Sequence, residues 1–318
     1  MYKIDIIIPT YNRAVYHKMA IDSVLNQTFE DYHIYVLDNC SNDNTTELIK
    51  SYSSDKLTYI RNRTNIGHYG NWNKALQTGS SEFFQIFHDD DILEPYFLDS
   101  VISLLSKFKD LVFVHTGAHI INDKNEIIRH HLKHYDATTS GNIFFENHLQ
   151  KVNSIICPSA VFRREKILNK IKFDDNYPFT ADVIFFLSCS RYGGVGYINK
   201  PLIKYRDHSS SGTSTIYAKL DLKIKDRFNH KIFLEREIKK RNINNSNDCA
   251  NNYLKGALSA DIWFMKVQGV SLINIFKVLP KFIRNAPSLI FYFPFWFSIL
   301  KIFIPLRGID FYKINLRK

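Results

Sequence analysis

Along the first ninety residues, short apolar runs alternate with stretches whose apolar positions recur at helical spacing. "IDIIIP" at 4–9 predicts a buried strand, and residues 14–26 predict a helix. "HIYVLD" at 33–38, "LTYIR" at 57–61 and "FFQIF" at 83–87 predict three more strands, with helices expected over 45–52 and 71–77. Strands that alternate with helices in this way imply right-handed crossovers and a mostly parallel sheet, hence an α/β fold. Ligands of such sheets bind beyond the carboxyl ends of the strands. Pro9 to Arg13, Asp38 to Asp43 and His88 to Asp91 all fall there. Three polar clusters are therefore expected to meet in one crevice.

The third cluster poses an electrostatic problem. An apolar strand runs into "HDDD" at 88–91, where adjacent anions repel and are poorly solvated. An opposing divalent cation resolves that; a solvated acidic turn capping a helix near Pro95 is the plainer alternative. No G-x-G-x-x-G or P-loop accompanies these clusters, which argues against dinucleotide redox chemistry and ATP hydrolysis by the usual loops.

Composition sharpens the domain picture. The 318 residues are 45% hydrophobic and 23% charged, and aromatics are frequent, with 25 Phe and 18 Tyr. Residues 1–218 hold 23 Lys and Arg against 24 Asp and Glu, whereas residues 219–318 hold 19 against 7. The net charge of +11 thus lies in the last third, and divides a near-neutral domain (1–218) from a basic extension (219–318). Four cysteines, Cys40, Cys157, Cys189 and Cys249, stand far apart with no C-x-x-C pair, which speaks against a zinc site and for a reducing compartment. The N-terminus enters a strand directly, so no secretion signal is expected.

Five segments in order resemble the family two inverting bacterial glycosyltransferases of surface-polysaccharide (O-antigen) type. They are "IIIPTYNR", "VLDNCSNDNT", "NIGHYGNWNKAL", "HDDDILEP" and "FTADVIFFLSCSRYGGVGYINKPLIKYRDHSSSGT". The resemblance implies a GT-A fold, Rossmann-like, in which a mostly parallel sheet is flanked by helices. It implies a nucleotide-diphosphate sugar donor, a divalent metal cofactor (Mn2+ or Mg2+) and an Asp general base. On this chain Asp182 takes the role of base, and Asp90, with Asp91 and His208, that of metal ligand. Pro9, Tyr11, Arg13, Asp38, Asn39, Asn65 and Asp89 fall on the nucleotide side, and Arg206 faces phosphate. His88 departs from the pattern, since the family usually has an acid there; Ala181 departs too, where a Glu commonly precedes the base. Asn39 replaces a second acid, so uracil, thymine and cytosine donors all stay open. A metal-dependent phosphohydrolase and an inactive nucleotide-sugar-binding scaffold are the rival readings.

Two minor features remain. "HHLKH" at 130–134 reads as an exposed loop, and "CPSAVFRRE" at 157–165 as a strand and turn where Arg163 or Arg164 meets an acceptor phosphate or simply faces solvent.

In the basic extension, residues 219–265 predict helices with a polar turn near Asn242. The span from Ala286 to Leu306 is long enough to cross a bilayer, but Pro287, Pro294 and Lys301 interrupt it. Its Phe, Tyr and Trp296 side chains, beside Lys277, Lys281, Arg284 and Arg307, suit a segment lying in the interface of an anionic membrane surface. The expected setting is peripheral, on the cytoplasmic face of the bacterial inner membrane, with a lipid-linked glycan as acceptor and no nucleic acid partner.

Overall fold

The computed structural model describes residues 2–133, 136–150, 155–208, 220–243 and 246–267, with single positions beyond. The chain divides into two compact units. One comprises Met1–His148, Asn153–Asp175 and Ala181–Ser214; the other comprises Leu149–Val152, Asn176–Thr180 and Thr215–Lys318.

The alternating pattern folds as expected: β1 (Ile4–Thr10), α1 (Ala14–Leu25), β2 (Tyr32–Asp38), α2 (Thr45–Lys50), β3 (Leu57–Arg61), α3 (His68–Leu76) and β4 (Phe83–Ile86). Then follow β5 (Ile92–Leu93), α4 (Phe97–Lys107), β6 (Leu111–Ile121), β7 (Ile127–His131), β8 (Thr138–Thr139) and α5 (Gly141–Gln150). A 3-10 turn (Cys157–Ser159), β9 (Val161–Arg163), α6 (Arg164–Ile167), α7 (Ala181–Cys189) and β10 (Gly194–Arg206) complete the first unit. The strands form one sheet in the order β3-β2-β1-β4-β9-β6-β10-β5, with β7 on β6 and β8 on β10. β1, β2, β3 and β4 are mutually parallel, β9 runs antiparallel between β4 and β6, and β10 pairs parallel with β6. The carboxyl ends of β1, β2, β4 and β10 therefore share an edge.

The near-continuous apolar run of β1 suits a strand buried on both faces. Ile4, Ile6 and Ile8 join Ala20, Ile21 and Val24 of α1 and Phe97, Val101 and Leu105 of α4 in the main core. Each Ile, Val, Leu and Phe among them contributes about 1.5–3 kcal/mol by leaving water. Asp5, also buried, is compensated by Arg164 Nη2 at 2.8 Å and by the Ser81 N–H and Oγ at 2.9 and 2.7 Å.

Two expectations are corrected here. α3 begins at His68 rather than Asn71 because Gly67, at φ +79°, turns the chain into the helix where side-chain periodicity gives no signal. The "HHLKH" stretch is not wholly loop: His130 and His131 end β7, opposite His119 and Ala118 of β6. Their polar character suits an edge strand.

The second unit contains α8 (Leu220–Lys240) and α9 (Ser246–Val267), with a turn at Arg241 and Asn242, close to where it was expected. Asp261 of α9 accepts a two-pronged contact from Arg227 (2.9 and 3.0 Å) and lies 2.9 Å from Lys223 Nζ, which pins the two helices together. Among the described residues no helix is long and apolar enough to cross a membrane. The span Ala286–Leu306 lies outside the described residues apart from Phe295, Trp296 and Ile299.

Candidate active site

The loops after β1 and β2 are clasped to each other. Asn12, left-handed at φ 54°, donates its N–H to Ser41 Oγ (2.9 Å), and its Oδ1 accepts from the Asn42 N–H (2.8 Å). The Asn39 N–H reaches Thr10 O at 2.9 Å, and Asp43 Oδ2 accepts from the Ala14 N–H at 3.1 Å. Parallel pairing of Thr10 with Asp38 sets the two loops side by side.

One wall of the crevice is an amide network. Asn39 Nδ2 donates to Asn65 Oδ1 (2.8 Å) and Gly67 O (3.2 Å); its Oδ1 accepts from Asn62 Nδ2 and the Ile66 N–H, both at 3.0 Å. Asn62 also bonds Asn71 and accepts from Lys74 Nζ at 2.6 Å. An Asn amide has two donor hydrogens and two acceptor positions, so Asn39 is saturated. The expected direct reading of a nucleobase by Asn39 is therefore corrected: 4% exposed, it braces the 62–67 loop. Asp38 is fully buried, accepting from Tyr59 Oη (2.5 Å), Arg61 Nη1 (3.0 Å) and the Ser41 N–H (2.8 Å). Pro9 is buried within β1, whereas Tyr11 and Asn65 are exposed at the mouth.

The opposite wall is the acidic turn. Thr10 Oγ1 donates to Asp89 Oδ2 at 2.6 Å, and Arg13 lies against both Asp89 (3.7 Å) and Asp90. His208 Nε2 stands 3.1 Å from Asp90 Oδ2, and Asp91 Oδ1 accepts from the Arg206 N–H at 2.8 Å. β10 thus delivers both His208 and the backbone that holds Asp91. Burial and the Asp90 charge push the Asp89 carboxyl up to about 7. Asp91 is likewise raised, chiefly by burial. For Asp90 burial acts the same way, but the His208 hydrogen bond and the charges of His88 and Arg13 outweigh it and hold that carboxyl below the usual range. Burial opposes a charged His88, yet Asp91 and Cys157 beside it raise its pKa well above that of an ordinary imidazole.

Whether these residues suit a divalent ion can be asked of their donor atoms. One atom each from His88, Asp90 and Asp91 lie within 4.8 Å of one another. Asp91 is 0% exposed, and its Oδ2 accepts no hydrogen bond among the described residues; the nearest cationic group is His88 Nδ1 at 3.4 Å. A buried carboxylate oxygen without a donor is costly in the protein alone and suits a metal. The residues fit.

Asp182 opens α7, where its Oδ1 accepts from the Val183 N–H at 2.8 Å. The Cys157 thiol and the Tyr205 hydroxyl, both held neutral mainly by burial, feel the charges of Asp182 and Asp91 alike. Asp182 therefore shares the neighbourhood of the acidic turn.

Three arginines are reassigned. Arg206 is 2% exposed, with Nε on Asp90 O (2.9 Å), Nη1 on Asn122 O (3.0 Å) and Nη2 on Asn125 Oδ1 (2.7 Å). It holds the acidic turn to the loop after β6. Arg163 and Arg164 lie at the far edge of the sheet, where Arg163 pairs with Phe83 at the start of β4. Arg163 bonds Glu82 and the carbonyls of Leu105 and Leu111, and Arg164 bonds Asp5. Both are held by groups of the protein itself. Sequence reasoning missed Thr10, Asn62, Asn71 and Lys74, and treated His88 only as a departure; the Asn-rich segment 62–73 was the available signal.

The family model for Glycosyl transferase family 2 matches residues 5–172, more than half of the chain. The chain belongs to that family. Among its family 2 relatives, WfgD of Escherichia coli is 30% identical over 223 residues, covering 69% of this chain and 83% of that protein. Its name is UDP-Glc:alpha-D-GlcNAc-diphosphoundecaprenol beta-1,3-glucosyltransferase. An uncharacterized glycosyltransferase of Haemophilus influenzae is 26% identical over 227 residues, or 67% of this chain and 68% of that one. The fold is similar to that of S. aureus TarS 1–349 in complex with UDP-GlcNAc, with a TM-score of 0.66 and 17% identity over 90% of this chain and 82% of that one. The GT-A-like α/β architecture of family 2 is thus shared.

Proposed function

We propose that the chain is an inverting, metal-assisted glycosyltransferase that moves a sugar from a nucleoside-diphosphate donor to a hydroxyl of a lipid-linked bacterial glycan. The observation that carries this reading is the gathering, at one sheet edge, of His88–Asp91, His208 and the first turn of α7 with Asp182. Inversion demands a proton acceptor on one face of the sugar and stabilisation of the departing diphosphate on the other. Asp182 takes the acceptor's proton. Asp90, Asp91 and His208 hold a divalent ion, Mn2+ or Mg2+, which supplies positive charge toward the leaving phosphates. Arg13 adds charge there, Asp89 steadies Thr10 of the nucleotide loop, and Tyr11 and Asn65 form the nucleoside wall, which Asp38 braces from within the protein. A uridine donor is favoured by the UDP named for both WfgD and the TarS complex, and a lipid-linked acceptor by the diphosphoundecaprenol in the WfgD name.

The test is transfer by the purified chain from a panel of nucleotide sugars to a lipid-linked acceptor, with and without chelator. Asp182→Asn is expected to lower turnover by about 10²–10⁴ with donor binding unchanged. A variant within a few-fold of wild type would place the base elsewhere.

Residues 1–218 are the catalytic domain in this reading, and 219–318 hold it to the cytoplasmic face of the inner membrane. Each well-placed Lys or Arg adds roughly 1 kcal/mol near an anionic surface. Deleting residues from Asn274 onward is expected to abolish flotation with anionic liposomes while donor binding persists. Equal flotation of both forms overturns the tether.

A further inference from the structure

We propose that His88 makes this a nitrogen-rich metal site that selects first-row transition ions over magnesium. The inference rests on the metal reading above and goes beyond it, since that reading leaves Mn2+ and Mg2+ equivalent.

The donor set is the starting point. His88 brings an imidazole nitrogen within 4.8 Å of the carboxylate oxygens of Asp90 and Asp91. Opposite ligands with bonds of ~2.0–2.2 Å stand about 4.0–4.4 Å apart, so an ion would draw these atoms together by less than an ångström. The second imidazole, His208, stands 3.1 Å from Asp90 Oδ2 and is 5% exposed, so little freedom remains to it. One imidazole and two carboxylates thus surround one point, with His208 beside the Asp90 oxygen, and the fully buried Asp91 Oδ2 has no hydrogen-bond donor among the described residues.

Magnesium is poorly served by such a set. It demands near-octahedral oxygen ligands, dehydrates reluctantly and keeps several waters. Imidazole donors favour the ions that climb from Mn2+ through Co2+, with Zn2+ also well suited. Competition inside the protein widens the gap. Arg13 already contacts the Asp90 oxygen that faces His208, so an ion has to displace that guanidinium to use it. An ion bound weakly by nitrogen gains least from the exchange. Replacing the His88 imidazole with a carboxylate would add an oxygen donor and a negative charge, which improves the site for magnesium.

The experiment uses the full chain and Mn2+ itself as the probe. Free Mn2+ is followed by its electron paramagnetic resonance signal as protein is added, and bound Mn2+ is then challenged with Mg2+. In the wild type Mn2+ is expected to bind and a hundredfold excess of Mg2+ to displace little of it. In His88→Asp the preference for Mn2+ over Mg2+ should fall by about ten- to a hundredfold. Pulsed spectra of bound Mn2+ should show coupling to two nitrogens in the wild type and one in the variant, a readout independent of turnover. The wild-type competition and spectra need no variant, so misfolding of His88→Asp leaves the test intact. Ready displacement of Mn2+ by equimolar Mg2+, or coupling to a single nitrogen in the wild type, overturns the role of His88 while leaving a metal site in place. Failure of Mn2+ to bind at all overturns the metal reading itself.

Discussion

The two walls of the crevice solve opposite problems. On the β2–β3 side, Asn39, Asn62 and Asn71 interlock without net charge, and every donor and acceptor of Asn39 is used inside the protein. On the β4–β10 side, three consecutive acids are held by Arg13, His88 and His208, and Asp91 keeps a buried oxygen without a hydrogen bond among the described residues. The first wall is satisfied by its own hydrogen bonds. The second is under electrostatic tension that a bound cation would relieve. A saturated network supplies form, and an unsaturated one supplies affinity.

The largest effect should come from separating stability from activity on the acidic side. Asp91→Asn is expected to lower turnover by about 10²–10³-fold, by weakening the charge that stabilises the leaving group. In metal-free protein at pH 8 it should raise the thermal midpoint by about a few degrees, because a buried, poorly paired anion is removed. Loss of stability in that variant would show that the turn is not strained.

A second test lies beneath the amide wall. His17 of α1 is fully buried, neither ring nitrogen has a hydrogen-bond partner among the described residues, and burial lowers its pKa to about 4 against the pull of Asp38 and Asp43. The folded-state value lies below the unfolded one, 6.5. The unfolded chain therefore binds the proton first, and stability present above about pH 6.5 is lost as pH falls toward 4. Over that window His17 accounts for a loss of about 3 kcal/mol. His17→Leu should flatten the acid limb of a urea-denaturation series by that amount, and an unchanged limb would sink the assignment.

The smallest effect concerns Asn39→Asp. A carboxylate there loses both donors and faces Asn65 Oδ1 and Gly67 O, at a cost of about 1–3 kcal/mol. Base preference among nucleotide donors should not change. A switch of preference would return Asn39 to the base pocket.

The same contrast governs how much could be read from the sequence. Alternating apolar runs located β1 to β4 within a residue or two, and the topology rule placed their loops on one edge, because burial and crossover handedness leave a periodic trace. The acidic turn was legible for a related reason: three acids after a buried strand violate patterning visibly. The amide wall was not. Asn39 and Asn65 were placed by resemblance, Asn71 as the start of a helix and Asn62 not at all, and only the parallel register of Asp38 with Arg61 makes them neighbours. The internal bonds of Arg206 were not legible, because an arginine in "YRDH" looks the same in sequence whether it faces solvent or the carbonyls of its own loops. Its burial at 2% exposure comes from β10 ending between Asp90 and Asn122.

The clasp between the first two loops has a consequence in time. Asn12, Ala14 and Asn42 donate their amides across a sequence gap of about thirty residues, so none of these bonds can form before β1 and β2 have paired. Once formed, they open only together. In hydrogen-exchange measurements the three amides should share one rate, set by a common opening, even though they lie in surface loops or in the first turn of α1, where amides otherwise exchange almost at once.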